Sequence, residues 1–427
     1  MRTLLIVFPE PSSRWGGERL RKLCEPLSAH GWRPVFLATT ERAAQQMHGV
    51  VSQHDWLAGH HVVRAPDASP YVAGAAVRRL LGKRRTAAAG LEVSSPGGAA
   101  EPSRRSIALR ILDRVWLPDA YAGWNPFAVA AGVRLARRVQ PAAIFSTYPP
   151  ASSHTVALAL HRLTGIAWVA DFRDPWARAD EQTYPTAAPT VAAVLERAVL
   201  RHATAVTAVG PTLAGILRER TGTPVHVLPQ GFDPLDLREA AHASGDVLDV
   251  VHMGTLSRWP SDPGPLVRAA ARLESEGIHV HVTQVGQVFD VDEAVAAGVE
   301  AGVLTLEDPV GRDEALRRIA AADVAVVIRT EPGRLWMTTK VWDYLAARRP
   351  ILVIADPESD VAQLVTSARA GVTAPYWDEV TIAERLRDLH ARKQRGDLPW
   401  SPDASLDDYA APAVAERFVR ILDDLSR

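Results

Sequence analysis

The segment AIFSTYPPASSHTVALALHRLTGIAWVAD, residues 143–171, decides the fold class of this 427-residue chain. It contains a short apolar run at 143–146, a helical pattern at 151–163 and a second apolar run at 167–171. A strand, a helix and a second strand in this order form a right-handed crossover between parallel strands. The segment therefore predicts an α/β fold built on a parallel sheet.

The same alternation of strands and helices extends in both directions. Further apolar runs predict strands at 4–8, 35–38, 205–209, 225–228, 248–254, 279–286, 303–307, 323–328 and 351–355. Helical patterns fall at 17–30, 126–139, 189–202 and 211–220. The pattern pauses over polar residues between 229 and 246. We therefore predict two doubly wound, Rossmann-like domains, at 1–229 and 247–427, with a linker at 230–246, and we expect a last helix at about 410–425 to follow the second domain.

Composition narrows the class of protein. Hydrophobic residues make up 47% and charged residues 23%, which is typical of globular chains, and the formal net charge of −1 gives no indication of nucleic-acid binding. The single cysteine, Cys24, excludes an intramolecular disulfide. LLIVF at 4–8 is too short for a signal peptide, and no apolar run is long enough for a transmembrane helix. We expect a cytoplasmic protein.

One segment, about 72–118, interrupts the alternation as an insertion in the first domain. Basic residues outnumber acidic ones there, and its centre at 87–103 is rich in Gly, Ser, Pro and Ala. Two interpretations stay open. The segment is either a loop that docks on an anionic membrane or charged acceptor, or a surface insertion with a solvated basic face.

Candidate site residues follow predicted strands, because ligands of parallel α/β sheets bind beyond the carboxyl ends of the strands. The strongest candidate stretch is RLWMTTKVWDYLAARRPILVIA at 334–355. Thr338 and Thr339 can cap a helix whose N-terminal amides bind an anion, with Lys340 adding positive charge. Asp343 lies on the same helix face, where its carboxylate can accept hydrogen bonds from ribose hydroxyls. The alternative is a Lys340–Asp343 surface pair.

A second donor-side candidate is HMGTLSRWP, which begins at 252. Gly254 and Thr255 offer small side chains and backbone donors beside a diphosphate, and Arg258 can bind it with two parallel hydrogen bonds. The alternative is an ordinary glycine turn followed by a surface arginine.

The first domain offers three groups of candidates. In WVADFRDPW, Arg173, Asp171 and Asp174 follow a buried strand, and we assign them catalytic roles or, alternatively, an internal ion-pair cluster. Gly16 and Gly17 either leave free amides for a ligand or form a tight turn. Tyr148 and His154 of STYPPASSH are expected near acceptor or donor, with a structural histidine as the alternative.

These motifs together resemble GT-B fold glycosyltransferases of the family-4, retaining type. The resemblance rests on GGERLRKL, PDAYAGW, STYPPASSH, ADFRDPW, AVTAVGPTLAGIL, VHVLPQGFDP and TTKVWDYLAARRPIL. It spans nearly the whole chain, and the middle motifs are similar to those of a bacterial subgroup linked to polysaccharide assembly. The resemblance implies two domains facing across a cleft, a nucleoside diphosphate sugar as donor in the second domain, and a lipid-linked saccharide or small molecule as acceptor.

The resemblance also implies residue roles. Lys340 and Arg258 would bind the diphosphate, Asp343 the ribose, and Arg173 would take a place where relatives carry a cleft histidine. Many relatives have two glutamates eight residues apart, whereas this chain has Leu335 and Asp343.

From the residues we expect no metal or other cofactor, because no acidic cluster suited to a divalent ion is evident. The predicted enzyme is thus a metal-independent glycosyltransferase, and a peripheral contact of 72–118 with the inner membrane face is one of the two open interpretations of that segment. The alternatives are a nucleotide-sugar epimerase or hydrolase on the same fold, and a non-catalytic nucleotide-sugar-binding subunit.

Overall fold

The computed structural model describes residues 1–13, 16–48, 56–69, 117–177, 189–234, 245–258, 261–289, 293–330, 335, 337–398 and 404–425. These residues divide into two compact units. Unit 1 holds the described residues up to Pro229 and those from Ala411 onward, and unit 2 holds those from Gln230 to Ala410.

Unit 1 is built on a parallel sheet of seven strands: β1 Arg2–Val7, β2 Trp32–Thr39, β3 His61–Ala65, β4 Ala143–Tyr148, β5 Ala167–Phe172, β6 Ala205–Ala208 and β7 Val225–Val227. Their spatial order is β3-β2-β1-β4-β5-β6-β7. The central strands are buried on both faces, which explains why they are continuous apolar runs instead of alternating ones.

Helices connect these strands: α1 Gly17–Cys24, α2 Glu41–His48, α3 Asn125–Val139, α4 Ala151–Thr164, α5 Pro189–His202 and α6 Pro211–Arg218. A 3-10 segment, Glu25–His30, continues α1. The order of the strands reverses between β1 and β4, so their carboxyl ends form the switch point of this unit.

Unit 2 repeats this design with six parallel strands: β8 Leu248–Met253, β10 Val280–Val285, β12 Leu304–Glu307, β13 Val324–Ile328, β14 Ile351–Ile354 and β15 Gly371–Ala374. Two short strands, β9 Leu256–Ser257 and β11 Val288–Phe289, pair separately. The six-stranded order is β12-β10-β8-β13-β14-β15, with its switch point between β8 and β13.

The helices of unit 2 lie between these strands or after the last of them: α7 Gly264–Ser275, α8 Glu293–Glu300, α9 Arg312–Ala321, α10 Thr339–Ala346, α11 Asp360–Ser367 and α12 Glu379–Gln394. Two buried clusters pack on the faces of the sheet, one around Leu248, Val282 and Leu386, the other around Val327, Trp342 and Leu345.

The last helix, α13 Ala411–Asp424, belongs to unit 1, whereas we expected it to follow the second domain. Its apolar face joins the unit 1 core, where the Phe418 and Phe145 ring centroids are 4.8 Å apart. Trp32 Nε1 also donates to Asp423 Oδ1 at 3.0 Å. The helix follows the second domain in sequence, but burial of its apolar face places it in the core of unit 1.

Candidate functional site

The switch point of unit 2 brings together most of the predicted donor residues. Gly254 directly follows β8, Arg329 directly follows β13, and α10 begins at Thr339 after the next loop. Parallel α/β sheets bind their ligands outside the carboxyl ends of the strands at such a point. The fold therefore places the predicted Gly254 and Lys340 stretches where a ligand site belongs.

Lys340 lies in direct contact with Gly254. A Cβ added at Gly254 would approach Lys340 Cε to 2.9 Å, and Gly254 has φ of +102°. Because other residues rarely adopt that φ and would push the lysine aside, glycine is required here. The two predicted donor motifs thus meet at one place.

The charge of Lys340 is poised for an anionic ligand. Burial of the side chain and, to a smaller extent, the nearby Arg329 together lower the pKa of Lys340 to about 7. Its Nζ donates to Nε2 of His252 at 3.0 Å. The pKa of His252 itself is well below its usual range, first because of burial and then because of Lys340, so His252 is a neutral acceptor. An anion bound here would favour the charged form of Lys340.

The N-terminus of α10 adds backbone donors beside Lys340. Thr338 is the N-cap residue, as predicted, and its hydroxyl accepts from the Lys340 amide at 3.4 Å. Thr339 is exposed at the first position of the helix. The amides of a first helical turn and a neighbouring ammonium together form a site suited to phosphate.

Asp343 pairs with a residue that the sequence analysis did not single out. Arg312, at the start of α9, donates to Asp343 Oδ1 at 2.9 Å, and both side chains are partly exposed. Lys340 bonds to His252 and Asp343 to Arg312, which is a different pairing from the Lys340–Asp343 surface pair that was the alternative.

The loop after β8 is held by a small parallel ladder. Leu256 N donates to Gln287 O at 2.9 Å, and β9 pairs with β11 in register. Thr255 is half-buried and Arg258 is exposed at the end of this ladder. The loop therefore presents an arginine from an ordered backbone.

Asp171 requires a correction, because the structure gives it a structural position. Its side chain is fully buried and pairs with Arg19 at 2.7 Å. The hydroxyls of Thr147 and Thr207 donate to it at 2.7 Å and 2.6 Å. Burial alone would raise the pKa of Asp171, but Arg19 and the two hydroxyls hold it below its usual range. These contacts favour the ion-pair alternative over contact with a substrate.

Arg19 extends this cluster to the residues after β7, where the second segment of unit 1 ends at Pro229. It donates to Leu228 O at 2.9 Å and to Pro229 O at 3.0 Å. The sequence analysis missed it as a site residue, and its only signal was a charge beside the apolar stripe of α1.

Arg173 lies at the switch point of unit 1. Its Nε donates to Thr147 Oγ1 at 3.2 Å, a second guanidinium nitrogen donates to Pro149 O, and its Cζ is 5.9 Å from the centroid of the Phe8 ring. It is half-buried, as is Asp174. The position suits a ligand contact at the carboxyl ends of β1, β4 and β5.

Tyr148 and His154 pack inside unit 1. Tyr148 stacks on Trp176 with ring centroids 5.1 Å apart, and only 4% of its surface is exposed. His154 is fully buried, and Ser146 Oγ lies 2.8 Å from its Nδ1. Burial lowers the pKa of His154 to about 3. The expectation of ligand contact is therefore corrected to a packing role for both.

The predicted free amides of Gly16 and Gly17 are also corrected. Gly16 N donates to Ser13 Oγ at 3.4 Å and Gly17 N to Ser13 O at 2.9 Å. A Cβ at Gly16 would meet Phe8 Cζ at 2.2 Å, and one at Gly17 would meet Pro11 O at 2.3 Å. These glycines form the tight turn that was the alternative interpretation.

Several other expectations have a place in the structure or lie outside it. Leu335 is buried. Most of the basic segment at 72–118 lies outside the described residues, so the structure does not test its predicted membrane contact. Within the described ranges, no helix is long and apolar enough to cross a membrane. The same ranges contain no group of three or more His, Cys, Asp or Glu that could hold a metal ion.

Comparison with known proteins gives one family match. Residues 83–234, a little over a third of the chain, match Glycosyltransferase Family 4. No curated protein matches the chain.

The solved structures show the fold. Sucrose-phosphate synthase from Thermosynechococcus elongatus is 14% identical, with a TM-score of 0.66 over 100% of this chain and 99% of its own. Anabaena Alr3699/HepE, solved in complex with UDP-glucose, is 12% identical, with a TM-score of 0.62 over 99% of this chain and 100% of its own. The lipopolysaccharide outer core galactosyltransferase WaaB is 9% identical, with a TM-score of 0.61 over 99% of both chains. The predicted GT-B fold is confirmed, and the family match bears out the predicted glycosyltransferase.

Proposed function

We propose that this glycosyltransferase, which carries a Glycosyltransferase Family 4 match on a GT-B fold, moves a sugar from a nucleoside diphosphate sugar to an acceptor hydroxyl. One observation carries the donor assignment. The desolvated Lys340 ammonium lies beside the N-terminus of α10 and against Gly254, at the switch point of unit 2.

The donor site would act through charge. Sugar transfer leaves a nucleoside diphosphate, and its developing negative charge is stabilised by Lys340, the first amides of α10 and Arg258. Asp343 would bind the ribose hydroxyls by exchanging its exposed bond to Arg312 for bonds to the ligand. The complexes of the Anabaena protein with UDP and UDP-glucose support a nucleotide sugar as the donor class.

The remaining parts of the proposal concern the acceptor and the chemistry. We propose that Arg173 and Asp174 contact the reacting sugars from unit 1, and that transfer is retaining and metal-independent. The acceptor would be a lipid-linked saccharide or small molecule used in polysaccharide or glycoconjugate assembly. The enzyme would work in the cytoplasm, and the basic excess of 72–118 supports contact with the inner membrane face.

A donor screen tests this proposal and separates it from its alternatives. Thermal shift with a panel of nucleotide sugars identifies the donor, and turnover is then measured with and without saccharide acceptors. We expect release of nucleoside diphosphate to require an acceptor. Consumption of donor alone would indicate an epimerase or hydrolase instead. Tight donor binding without turnover across the panel would indicate a non-catalytic subunit.

Lys340→Met locates the donor site within unit 2. Loss of one hydrogen bond to a charged group costs about 1.5–3 kcal/mol, so we expect donor affinity to fall by at least about tenfold. The matched control is Arg317→Met, because Arg317 is an exposed cation on α9 that pairs with Glu314 of the same helix. Equal donor affinity in the two variants would refute the Lys340 assignment.

A further inference from the structure

A chain of three polar side chains connects α10, β8 and β10 below the proposed diphosphate. Lys340 Nζ donates to His252 Nε2 at 3.0 Å. His252 Nδ1 bonds to Gln284 Oε1, and Gln284 Nε2 donates to Gly254 O at 2.6 Å. The chain therefore begins and ends at the two motifs that form the donor site.

The direction of every bond in this chain follows from its first member. A lysine ammonium only donates, so His252 Nε2 must accept and Nδ1 must carry the ring hydrogen. That hydrogen fixes the carbonyl oxygen of Gln284 toward His252 and its amide nitrogen toward Gly254. One tautomer of His252 and one orientation of Gln284 satisfy all three bonds.

His252 and Gln284 are buried polar side chains that lie opposite each other on neighbouring strands. His252 and Gln284 are direct cross-strand partners on β8 and β10, with 1% and 0% of their surfaces exposed. Buried polar groups destabilise a fold unless their hydrogen bonds are made. His252 accepts from Lys340 and Gln284 donates to Gly254 O, so the two buried side chains are satisfied only while Lys340 and Gly254 keep these positions.

We propose that His252 is a positioning residue of the donor site, holding the Lys340 ammonium and, through Gln284, the Gly254 carbonyl in the arrangement that a diphosphate binds. This inference rests on the proposed function and deepens it. Among the described residues, the charged or titratable groups near Lys340 are Arg329 from the end of β13, His252 from β8, and Asp343 and Tyr344 on α10. Gln284 from β10 carries no charge.

The hydrogen bond from Lys340 to His252 should affect how diphosphate binding depends on pH. As a neutral acceptor, His252 stabilises the charged form of Lys340. Replacing it by leucine removes that acceptor, so we expect the pKa of Lys340 to fall in the variant. Because the diphosphate binds the charged lysine, the loss of affinity grows as the pH rises.

The test uses the full chain and measures UDP binding by calorimetry at pH 6 and pH 8.5, with GDP, ADP and inorganic pyrophosphate as parallel probes. The variants are His252→Leu, His252→Gln and Gln284→Leu. The matched control is His281→Leu, because His281 also lies on β10 and its ring nitrogens bond to Gly302 O and Thr305 Oγ1. Unfolding temperatures are recorded for all variants.

We expect His252→Leu to weaken probe binding by about tenfold at pH 6, the effect of one charge-assisted bond, and by more at pH 8.5. His252→Gln should recover most of the loss, because its amide oxygen also accepts. Gln284→Leu should show a smaller loss with the same pH trend. An equal loss at both pH values, or no recovery in His252→Gln, would overturn the positioning role.

Failure of the inference is distinguishable from failure of the proposed function. If the unaltered protein binds none of the four probes, the donor site itself is wrong. If it binds a probe in a Lys340-dependent way and His252→Leu behaves as His281→Leu does, only the positioning role of His252 is wrong.

Discussion

Donor binding should take up a proton, and raising the pH should weaken it through Lys340. The pKa of Lys340 is about 7 in the free protein, because the side chain is desolvated and Arg329 is near. A diphosphate raises that pKa, so binding at pH 8 requires protonation of a mostly neutral amine. The protonated fraction falls from about one half at pH 7 to about one hundredth at pH 9. We therefore expect affinity to fall about fiftyfold, or about 2.3 kcal/mol, over this range.

Calorimetry of UDP binding in buffers with different ionisation enthalpies measures this proton directly. At pH 8 we expect uptake approaching one proton per site. Lys340→Met should bind UDP weakly at every pH. It should also lose the proton uptake and the part of the change of affinity with pH that depends on Lys340. Its unfolding temperature without ligand should change little, because the substitution removes a desolvated ammonium but also takes the donor away from buried His252 Nε2. The same uptake in the wild type and in Lys340→Met would refute this reasoning.

Three further substitutions test other parts of the structure. Gly254→Ala places a Cβ 2.9 Å from Lys340 Cε at a residue whose φ is +102°. We expect UDP affinity to fall at least about tenfold and the backbone strain to cost about 1–3 kcal/mol. Unchanged affinity would show that the contact between Gly254 and Lys340 is unimportant. Asp171→Asn should lower the free energy of unfolding in urea by about 3–5 kcal/mol, because it leaves Arg19 without its buried partner. In the wild type, the Asp171–Arg19 pair should contribute stability above about pH 4 and lose it as the pH falls below that value. A variant that stays stable but has no turnover would restore a catalytic role for Asp171. Phe418→Ala should cost about 3–5 kcal/mol in unit 1, and wild-type stability on denaturation would mean that α13 adds little to that core.

Much of the fold follows from the sequence because buried parallel strands are continuous apolar runs. β1, β4, β8 and β14 are such runs, and each was predicted. The edge strands β3 and β15 were missed. HVVRA and GVTA are short and only partly buried, so their hydrophobic signal is weak. Their pairing with a neighbouring strand, instead of their composition, makes them strands.

The donor site was partly predictable for a local reason. Thr338 and Lys340 are two residues apart in sequence, so the capping pattern and the charge could be recognised together. His252 and Gln284 are 32 residues apart, and only the β8–β10 register brings them into contact. Arg312 and Asp343 are likewise joined by tertiary packing.

The error over Asp171 has a physical cause. Asp171 lies at the carboxyl end of β5, but its neighbours from α1, β4 and β6 saturate it. Sequence shows that a charge lies at a strand end. It does not show whether a cation from another element already neutralises that charge.

A crystal structure of the chain with UDP bound would show whether Lys340 and the N-terminus of α10 hold the diphosphate. We expect the diphosphate within about 3 Å of Lys340 Nζ and of the first amides of α10. A contradicting result has the diphosphate elsewhere, for example in the cavity of about 490 Å³ at the amino ends of β8 and β10, lined by Asp249, His281 and Lys393, with Lys340 still bound only to His252.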